Sequence, residues 1–167
     1  MIRPATIHDV PRIQEIVNSH AELGKMLFKS YAQLYESLRD FAVYELDGGQ
    51  QGAGEVVGCT ALAIIWADLA EVRSLAVDEN YTGRGIGRRL VEWLLESAVT
   101  AGMASVHLEL RADNEAARRF YRALGFSETV LMPRYYNGRE AAMRMIRMLR
   151  APGPLPLSWH PPVLGQK

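Results

Sequence analysis

From residue 77 the chain runs Val77-Asp78-Glu79-Asn80-Tyr81-Thr82-Gly83-Arg84-Gly85-Ile86-Gly87-Arg88-Arg89-Leu90, with a glycine at every second position from 83 to 87. Apolar, β-branched residues precede this stretch and a helix-like apolar period follows it, so it reads as a strand end, a turn and a helix start. The chemistry open to such a turn is anion binding. The first amides of a helix lack intrahelical acceptors and sit at the positive end of its macrodipole, and glycines let a pyrophosphate approach without meeting side chains. Arg84, Arg88 and Arg89 add positive charge. A helix start that needs only a tight turn has the same appearance, so the surrounding residues must separate the two readings. A dinucleotide fold would require G-x-G-x-x-G directly after its first strand and a P-loop would require Gly-Lys-Ser/Thr, and neither occurs.

Three further side chains carry acid-base chemistry. Glu71 and Glu109 lie in apolar runs that read as strands, and a carboxylate so placed can remove a proton directly or through one water. Arg73, two residues after Glu71 and on the same strand face, offers the alternative of a structural ion pair. Tyr121 has a phenol that can donate a proton, although a tyrosine on an amphipathic helix is also ordinary core. His8, His20, His107 and His160 show no metal-ligand spacing, so no metal site is expected and none of the four is given a catalytic role. The single cysteine, Cys59, falls in a buried-strand pattern and reads as packing.

The elements that must position these groups follow from periodicity and punctuation. Ile2 to Ala5 suits a short strand, and Thr6 with Asp9 resembles a helix cap before Val10, Ile13, Ile16 and Val17. Gly24 ends that helix, Ser30 caps a second one carrying Leu34 and Leu38 on one face, and Phe41 to Leu46 reads as a strand. After a glycine-rich turn from Asp47 to Gly54, Glu55 to Trp66 and Ala70 to Asp78 form an antiparallel hairpin. Ile86 to Ala101 is an amphipathic helix, Ser105 to Leu110 a strand, and Asn114 to Leu124 a helix closed by Gly125. Phe126 to Met132 and Ala141 to Leu149 complete the strands. This order implies an α/β (α+β) fold with a mixed sheet and helices on both faces.

The 167 residues suit a single domain over 1–150, with 151–167 as a tail holding five of the eight prolines, where Trp159 could dock on a surface. The 19 basic and 19 acidic residues favour neither nucleic acid nor an anionic membrane as partner. No apolar run approaches the roughly 20 residues of a membrane span, so a soluble cytoplasmic protein is expected. No internal repeat is visible, and a homodimer stays open.

The glycine segment resembles the acetyl-CoA pyrophosphate loop of the GNAT N-acetyltransferase superfamily, Gln/Arg-x-x-Gly-x-Gly/Ala, preceded by a strand ending here in Leu75-Ala76-Val77. The departure is Thr82, where the family has Gln or Arg; amides do most of the cradling there, and the cofactor assignment stands. A second segment, Glu109-Leu110-Arg111-Ala112-Asp113-Asn114-Glu115-Ala116-Ala117-Arg118-Arg119-Phe120-Tyr121-Arg122-Ala123-Leu124-Gly125-Phe126, is similar to the family's strand, N-E/x-A-A-x-x-F/L-Y helix and L-G-F turn. The resemblance spans about residues 1 to 149. It implies the GNAT fold: a mostly antiparallel sheet in which two parallel strands, ending near Val77 and Glu109, splay apart to admit the pantetheine arm. It also implies acetyl-CoA as co-substrate and a primary amine as acceptor. Cofactor contacts fall on Leu75, Ala76, Val77, Thr82, Gly83, Arg84, Gly85, Ile86, Gly87, Arg88, Asn114 and Tyr121.

Transfer to an amine needs its neutral form, yet an amine with a pKa of about 8 to 10 is mostly protonated at neutral pH. Glu71 is the first candidate for the base and Glu109 the second. An oxyanion formed during transfer would find an amide near Leu75 to Val77, and Tyr121 matches the family's acid for the leaving thiolate. Retention of Glu71, Glu109, Asn114 and Tyr121 argues against the alternative, a non-catalytic acyl-CoA-binding or interaction module.

The acceptor divides the chain. Asn18 through Val77 is similar to single-domain N-acetylglutamate synthases, which implies a small amino acid and places Lys29 and Arg73 among substrate contacts. Those enzymes have Pro-Arg-Ser where this chain has Phe28-Lys29-Ser30, and Lys29 is a point charge, not a fork. Arg111 to Phe126 and Arg134 to Met143 are instead similar to ribosomal-protein and other peptide N-terminal acetyltransferases, in which the pair matching Tyr135 and Tyr136 lines the peptide channel. The α-amine of a glutamate-like amino acid or of a peptide is therefore expected.

Overall fold

The computed structural model describes residues 1–22, 28–48, 54–136 and 138–150, without the side chains of residues 21, 22 and 136. Expectations on Gly24, on most of the turn after Asp47, on Asn137 and on the tail with Trp159 lie outside the described residues. Seven strands form one sheet: β1 (Ile2–Pro4), β2 (Phe41–Leu46), β3 (Glu55–Ile64), β4 (Leu69–Val77), β5 (Ser105–Arg111), β6 (Ser127–Tyr136) and β7 (Glu140–Met148). Their order is β1-β2-β3-β4-β5-β7-β6, and every neighbouring pair is antiparallel except β4 with β5. The helices are α1 (Val10–Glu22), α2 (Tyr31–Glu36), α3 (Ile86–Thr100) and α4 (Glu115–Ala123).

Val10, Ile13, Ile16 and Val17 recur at helical spacing, and all four are buried against β2 and β3 residues such as Val43, Val56 and Ala61. The cap before α1 is present: the amide and hydroxyl of Thr6 donate to the Asp9 carboxylate at 2.7 and 2.9 Å. It closes a 3-10 turn over Ile7–Asp9, so the regular helix begins one turn later than the cap suggests. In α2, the Ser30 and Gln33 side chains each accept the other's amide, at 3.2 and 2.9 Å. Leu34 fills the core as expected, and Leu38, beyond the end of the helix, is partly buried against the same cluster. The chain leaves α2 at Ser37, whose hydroxyl donates back to the Gln33 carbonyl at 2.8 Å, and tightens into a 3-10 turn (Leu38–Asp40) before β2.

The two sheet faces are covered differently. Ala70 and Val72 of β4 and Val106, Leu108 and Leu110 of β5 pack with Val91, Leu94, Leu95 and Ala98 of α3 and with Tyr121 of α4. On the opposite face, α1 and Leu34 of α2 cover Val43, Cys59 and Ala61. Cys59 is buried, as its sequence context implies, and burial pushes its thiol up to about 12. Each fully buried Ile, Leu or Val contributes about 1.5–3 kcal/mol of apolar transfer, so both faces need their helices. The alternation in β5 leaves Ser105, His107 and Glu109 on the α1/α2 side, only partly covered.

Candidate active site

Parallel pairing between β4 and β5 covers only Leu69↔Ser105, Ala70↔Val106 and Glu71↔His107. Beyond that point β4 runs on to Val77 against β3, and β5 runs on to Arg111 against β7, with no pairing between the two. A gap therefore opens from Glu71 and His107 outward, and its walls are strand edges whose polar groups lack a partner strand. A β-bulge shapes the β4 wall. Cys59 pairs with Ala76 and Ala61 with Arg73, which leaves one extra residue on β4, and Ser74 takes the left-handed φ of 55°. The extra residue reverses the side-chain alternation. Val72 packs under α3, whereas after the bulge Ala76 faces the α1 core and Leu75 and Val77 take the α3 side. At the end of β4, His20 of α1 bonds through Nε2 to the Val77 carbonyl at 2.7 Å.

The glycine turn follows at the end of this edge. Asp78 caps a 3-10 turn over Glu79–Tyr81 by accepting the Asn80 amide at 2.9 Å, and the Thr82 hydroxyl donates back to the Glu79 carbonyl at 3.0 Å. Thr82 thus stabilises the turn it ends. Gly83 and Gly85 adopt φ of 76° and 77°, the left-handed region that glycine enters without strain, and a Cβ at either would meet nothing within 4 Å. Among the described residues, the amides of Gly83 through Arg88 donate to no protein acceptor. A run of unpaired donors over open space at the N-terminus of α3 fits an anionic group such as a pyrophosphate. Of the three arginines, Arg84 lies 5.0 Å from the Tyr81 ring centroid, Arg88 donates to Glu92 at 2.8 Å and Arg89 to the Tyr44 hydroxyl at 2.9 Å. Ile86 is buried and anchors the first turn of α3, and a Cβ on Gly87 would lie 3.7 Å from the Phe120 ring.

Glu71 stands where the gap begins. Arg73 donates to it from Nε and a terminal nitrogen at 3.2 and 3.3 Å, so the pairing on one strand face that the sequence leaves open is made. His107 of β5 also reaches it, with Nε2 at 3.1 Å from the Glu71 Oε2. Glu109, two residues further along β5, receives Arg144 of β7 at 2.6 Å. Partial burial pushes the Glu109 carboxyl up, but hydrogen bonds from Tyr135 and Arg144 outweigh it and hold the group below its ordinary value. β6 shifts register between Met132 and Tyr136, where Arg134, next to Tyr135, takes a φ of 54°.

Tyr121 is buried between Phe120 and Phe126, edge-on to both, with centroids 5.0 and 5.5 Å away. Burial raises its phenol well above the ordinary value. Its hydroxyl bonds no described residue, and Arg144 Nε is the one described side-chain nitrogen or oxygen both sealed from solvent and unpartnered. Asn114 caps α4, with its Oδ1 accepting the Ala117 amide at 3.1 Å, which leaves its Nδ2 without a partner among the described residues.

Lys29 is held by its backbone. Its amide donates to Asn18 at 3.0 Å, and its carbonyl accepts from Gln14 and Asn18 at 3.2 Å each. Partial burial, together with the charge of Arg73, lowers the Lys29 ammonium from its ordinary value, and Lys29 makes no ion pair among the described residues. Lys29, Arg73, Glu71 and Glu109 thus belong to one charged neighbourhood, joined by Tyr135, while the Tyr136 side chain lies outside the described residues. Sequence reasoning missed His107 and Arg144. The one signal for both was strand alternation, which places them on the faces of Glu109's strand and its neighbour without saying what they meet.

Among the described residues, no helix is long and apolar enough to cross a membrane. Residues 13–126 match the Acetyltransferase (GNAT) family. An amino-acid acetyltransferase of Mycobacterium tuberculosis is 42% identical over 99 residues, 59% of this chain and 54% of that protein. A [ribosomal protein bS18]-alanine N-acetyltransferase of Escherichia coli is 39% identical over 88 residues, 51% of this chain and 60% of that protein. The chain thus spans little more than half the length of these relatives. Among solved structures, Rv2747 from Mycobacterium tuberculosis, in complex with CoA and a second ligand, superposes with a TM-score of 0.75 at 30% identity, over 90% of this chain and 99% of that one. Two strands that part beside a cradle of free amides agree with these matches, and the chain belongs to the GNAT acetyltransferase family.

Proposed function

We propose that this chain transfers an acetyl group from acetyl-CoA to the α-amine of a small amino acid that carries a second carboxylate, of which glutamate is the type. The observation that carries the reading is the continuous run from the unpaired edge of β4 into the free amides of Gly83 to Arg88, beside the Glu71 carboxylate. Acetyl-CoA supplies the activated acyl group, and the chain's residues do the rest. The loop amides and Arg84 hold the pyrophosphate, Asn114 offers its Nδ2 to the pantetheine arm, and an amide of Leu75 to Val77 polarises the thioester carbonyl. Glu71 takes a proton from the ammonium, and Tyr121 supplies one to the leaving thiolate.

The acceptor preference rests on Lys29, a cation beside Arg73 that makes no ion pair among the described residues. A partly desolvated ammonium with no described carboxylate paired to it favours an anionic ligand group. A peptide N-terminus is the second reading, supported by Tyr135 bonding Glu109 where the family's peptide-modifying members place their channel tyrosines. A free buried thiol suits the reducing cytoplasm, where we place the protein. Coenzyme A release should be followed with a panel of amino acids and alanine-initiated peptides. Glutamate should lead, and Lys29→Ala should raise its KM about tenfold or more while leaving the KM for acetyl-CoA alone. Peptides turned over while free amino acids are not would select the second reading, and no CoA release with any amine would leave only a binding module.

A further inference from the structure

We propose that His107 is a positioning residue for Glu71, and this rests on the reading of Glu71 as the base. The two residues form the last registered pair of the parallel strands, at the point where β4 and β5 part. Glu71 has two neighbours with opposite tendencies. Arg73 lies on the same strand with a side chain 50% exposed, and its two contacts are at 3.2 and 3.3 Å. It draws the carboxylate along its own strand, and a pair this exposed holds no geometry firmly. His107 is different in kind. Its side chain is only 12% exposed, and it sits on a strand fixed by β7 from Ser105 to Arg111. Its Nε2 bonds one carboxylate oxygen, Oε2, at 3.1 Å, across the mouth of the gap and not along the strand.

The consequence is orientation. With Oε2 tied toward β5, Oε1 meets only Arg73 Nε and is the oxygen left to accept a proton from an amine entering the gap. The other charged or titratable groups facing this pair are Arg73 from β4, Glu109 from β5, Arg144 from β7, Tyr135 from β6 and Lys29 ahead of α2. Arg144 and Tyr135 are committed to Glu109, and Lys29 is a cation beside Arg73, so none of them replaces the bond from His107.

The test uses the full chain with acetyl-CoA and L-glutamate, or an alanine-initiated peptide if that turns over faster, and compares His107→Leu, His107→Gln and Glu71→Gln. His107→Leu should lower kcat by up to about 100-fold, the loss expected of a catalytic group misplaced by about 1 Å, with the KM for acetyl-CoA unchanged. The acidic limb of its kcat/KM profile should remain, at a lower plateau, because Glu71 is still the base. His107→Gln, which retains an N–H near the same place, should recover most of the rate. Should His107→Leu not fold, His107→Asn, polar but too short to reach, takes its place with the same expectation. A wild-type rate in the Leu or Asn variant, with Glu71→Gln inactive, overturns this role alone. An active Glu71→Gln with an intact limb overturns the base and this role with it.

Discussion

Arg12 of α1 donates to the Asp78 carboxylate at 2.5 Å, and Asp78 is the residue that caps the turn leading into the glycine loop. The same guanidinium donates to the Val56 carbonyl at 3.0 Å and pairs with Glu15 at 2.8 Å. Glu55 of β3 in turn receives the Tyr81 hydroxyl at 2.9 Å, and Arg84 lies over that ring. The loop is thus braced from a helix on one sheet face and from a neighbouring strand, so its open amides stand on a fixed base.

That bracing makes Gly85 the sharpest probe of the loop. Its φ of 77° strains any residue with a Cβ, and Gly85→Ala should cost about 1 kcal/mol of stability for that reason alone. Gly85→Glu should add bulk and negative charge where the pyrophosphate is placed, and raise the KM for acetyl-CoA well beyond the alanine variant. Calorimetry and acetyl-CoA titration on both variants separate strain from charge. Cofactor binding equal to wild type in a folded glutamate variant would remove the loop from the cofactor site.

Tyr121→Phe should lower kcat about 10²-fold to 10⁴-fold with little change in cofactor affinity. Burial raises this phenol above its ordinary value, so Tyr121 stays protonated throughout the neutral and mildly alkaline range. Any falling alkaline limb below pH 10 should therefore persist in the phenylalanine variant's profile. An unchanged kcat would return Tyr121 to the core cluster with Phe120 and Phe126.

Glu71→Gln should abolish the rising acidic limb of kcat/KM, whereas Glu109→Gln should keep the limb and most of the rate. Glu109 is committed to Arg144 and Tyr135, which hold its carboxyl below the ordinary value and make it the weaker base. Profiles of both variants on one amine decide the matter. The reverse outcome would make Glu71 the structural partner of Arg73 and move the acceptor toward peptide N-termini.

Asp9 provides a pH test of the fold away from the site. Hydrogen bonds from Arg3 lower its carboxyl from 3.8 to about 2, against the opposing effect of burial and with help from Thr6. A depressed folded-state value means stability that is fully present above the unfolded value and is lost as pH falls from about 4 through about 2. The contribution is about 2 kcal/mol. Asp9→Asn should lose it at neutral pH and flatten the dependence in that window. Denaturant unfolding of both proteins between pH 2 and 7 measures this, and parallel curves would assign the acid sensitivity elsewhere.

Local chemistry was enough to place the glycine loop, the Ser30 cap, the β3–β4 hairpin and the amphipathic faces of α1 and α3. Each depends on residues a few positions apart, where φ preference, capping and apolar period act directly. Leu38 marks the limit of that reasoning: it packs on the same cluster as Leu34, but from a 3-10 turn beyond the end of α2. What only the tertiary structure decided lies between distant segments. The extra residue at Ser74 is visible only against the spacing of its β3 partners, and it decides which way Leu75, Ala76 and Val77 face. The meeting of Glu71 with His107, 36 positions apart, depends on β5 crossing over to lie parallel to β4 with one register and then parting from it. Strand register is set by the packing of both sheet faces at once, and a one-residue slip would turn His107 into the core and Val106 toward the gap. No local propensity records that choice, which is why the glutamates could be named from the chain alone and the histidine that holds one of them could not.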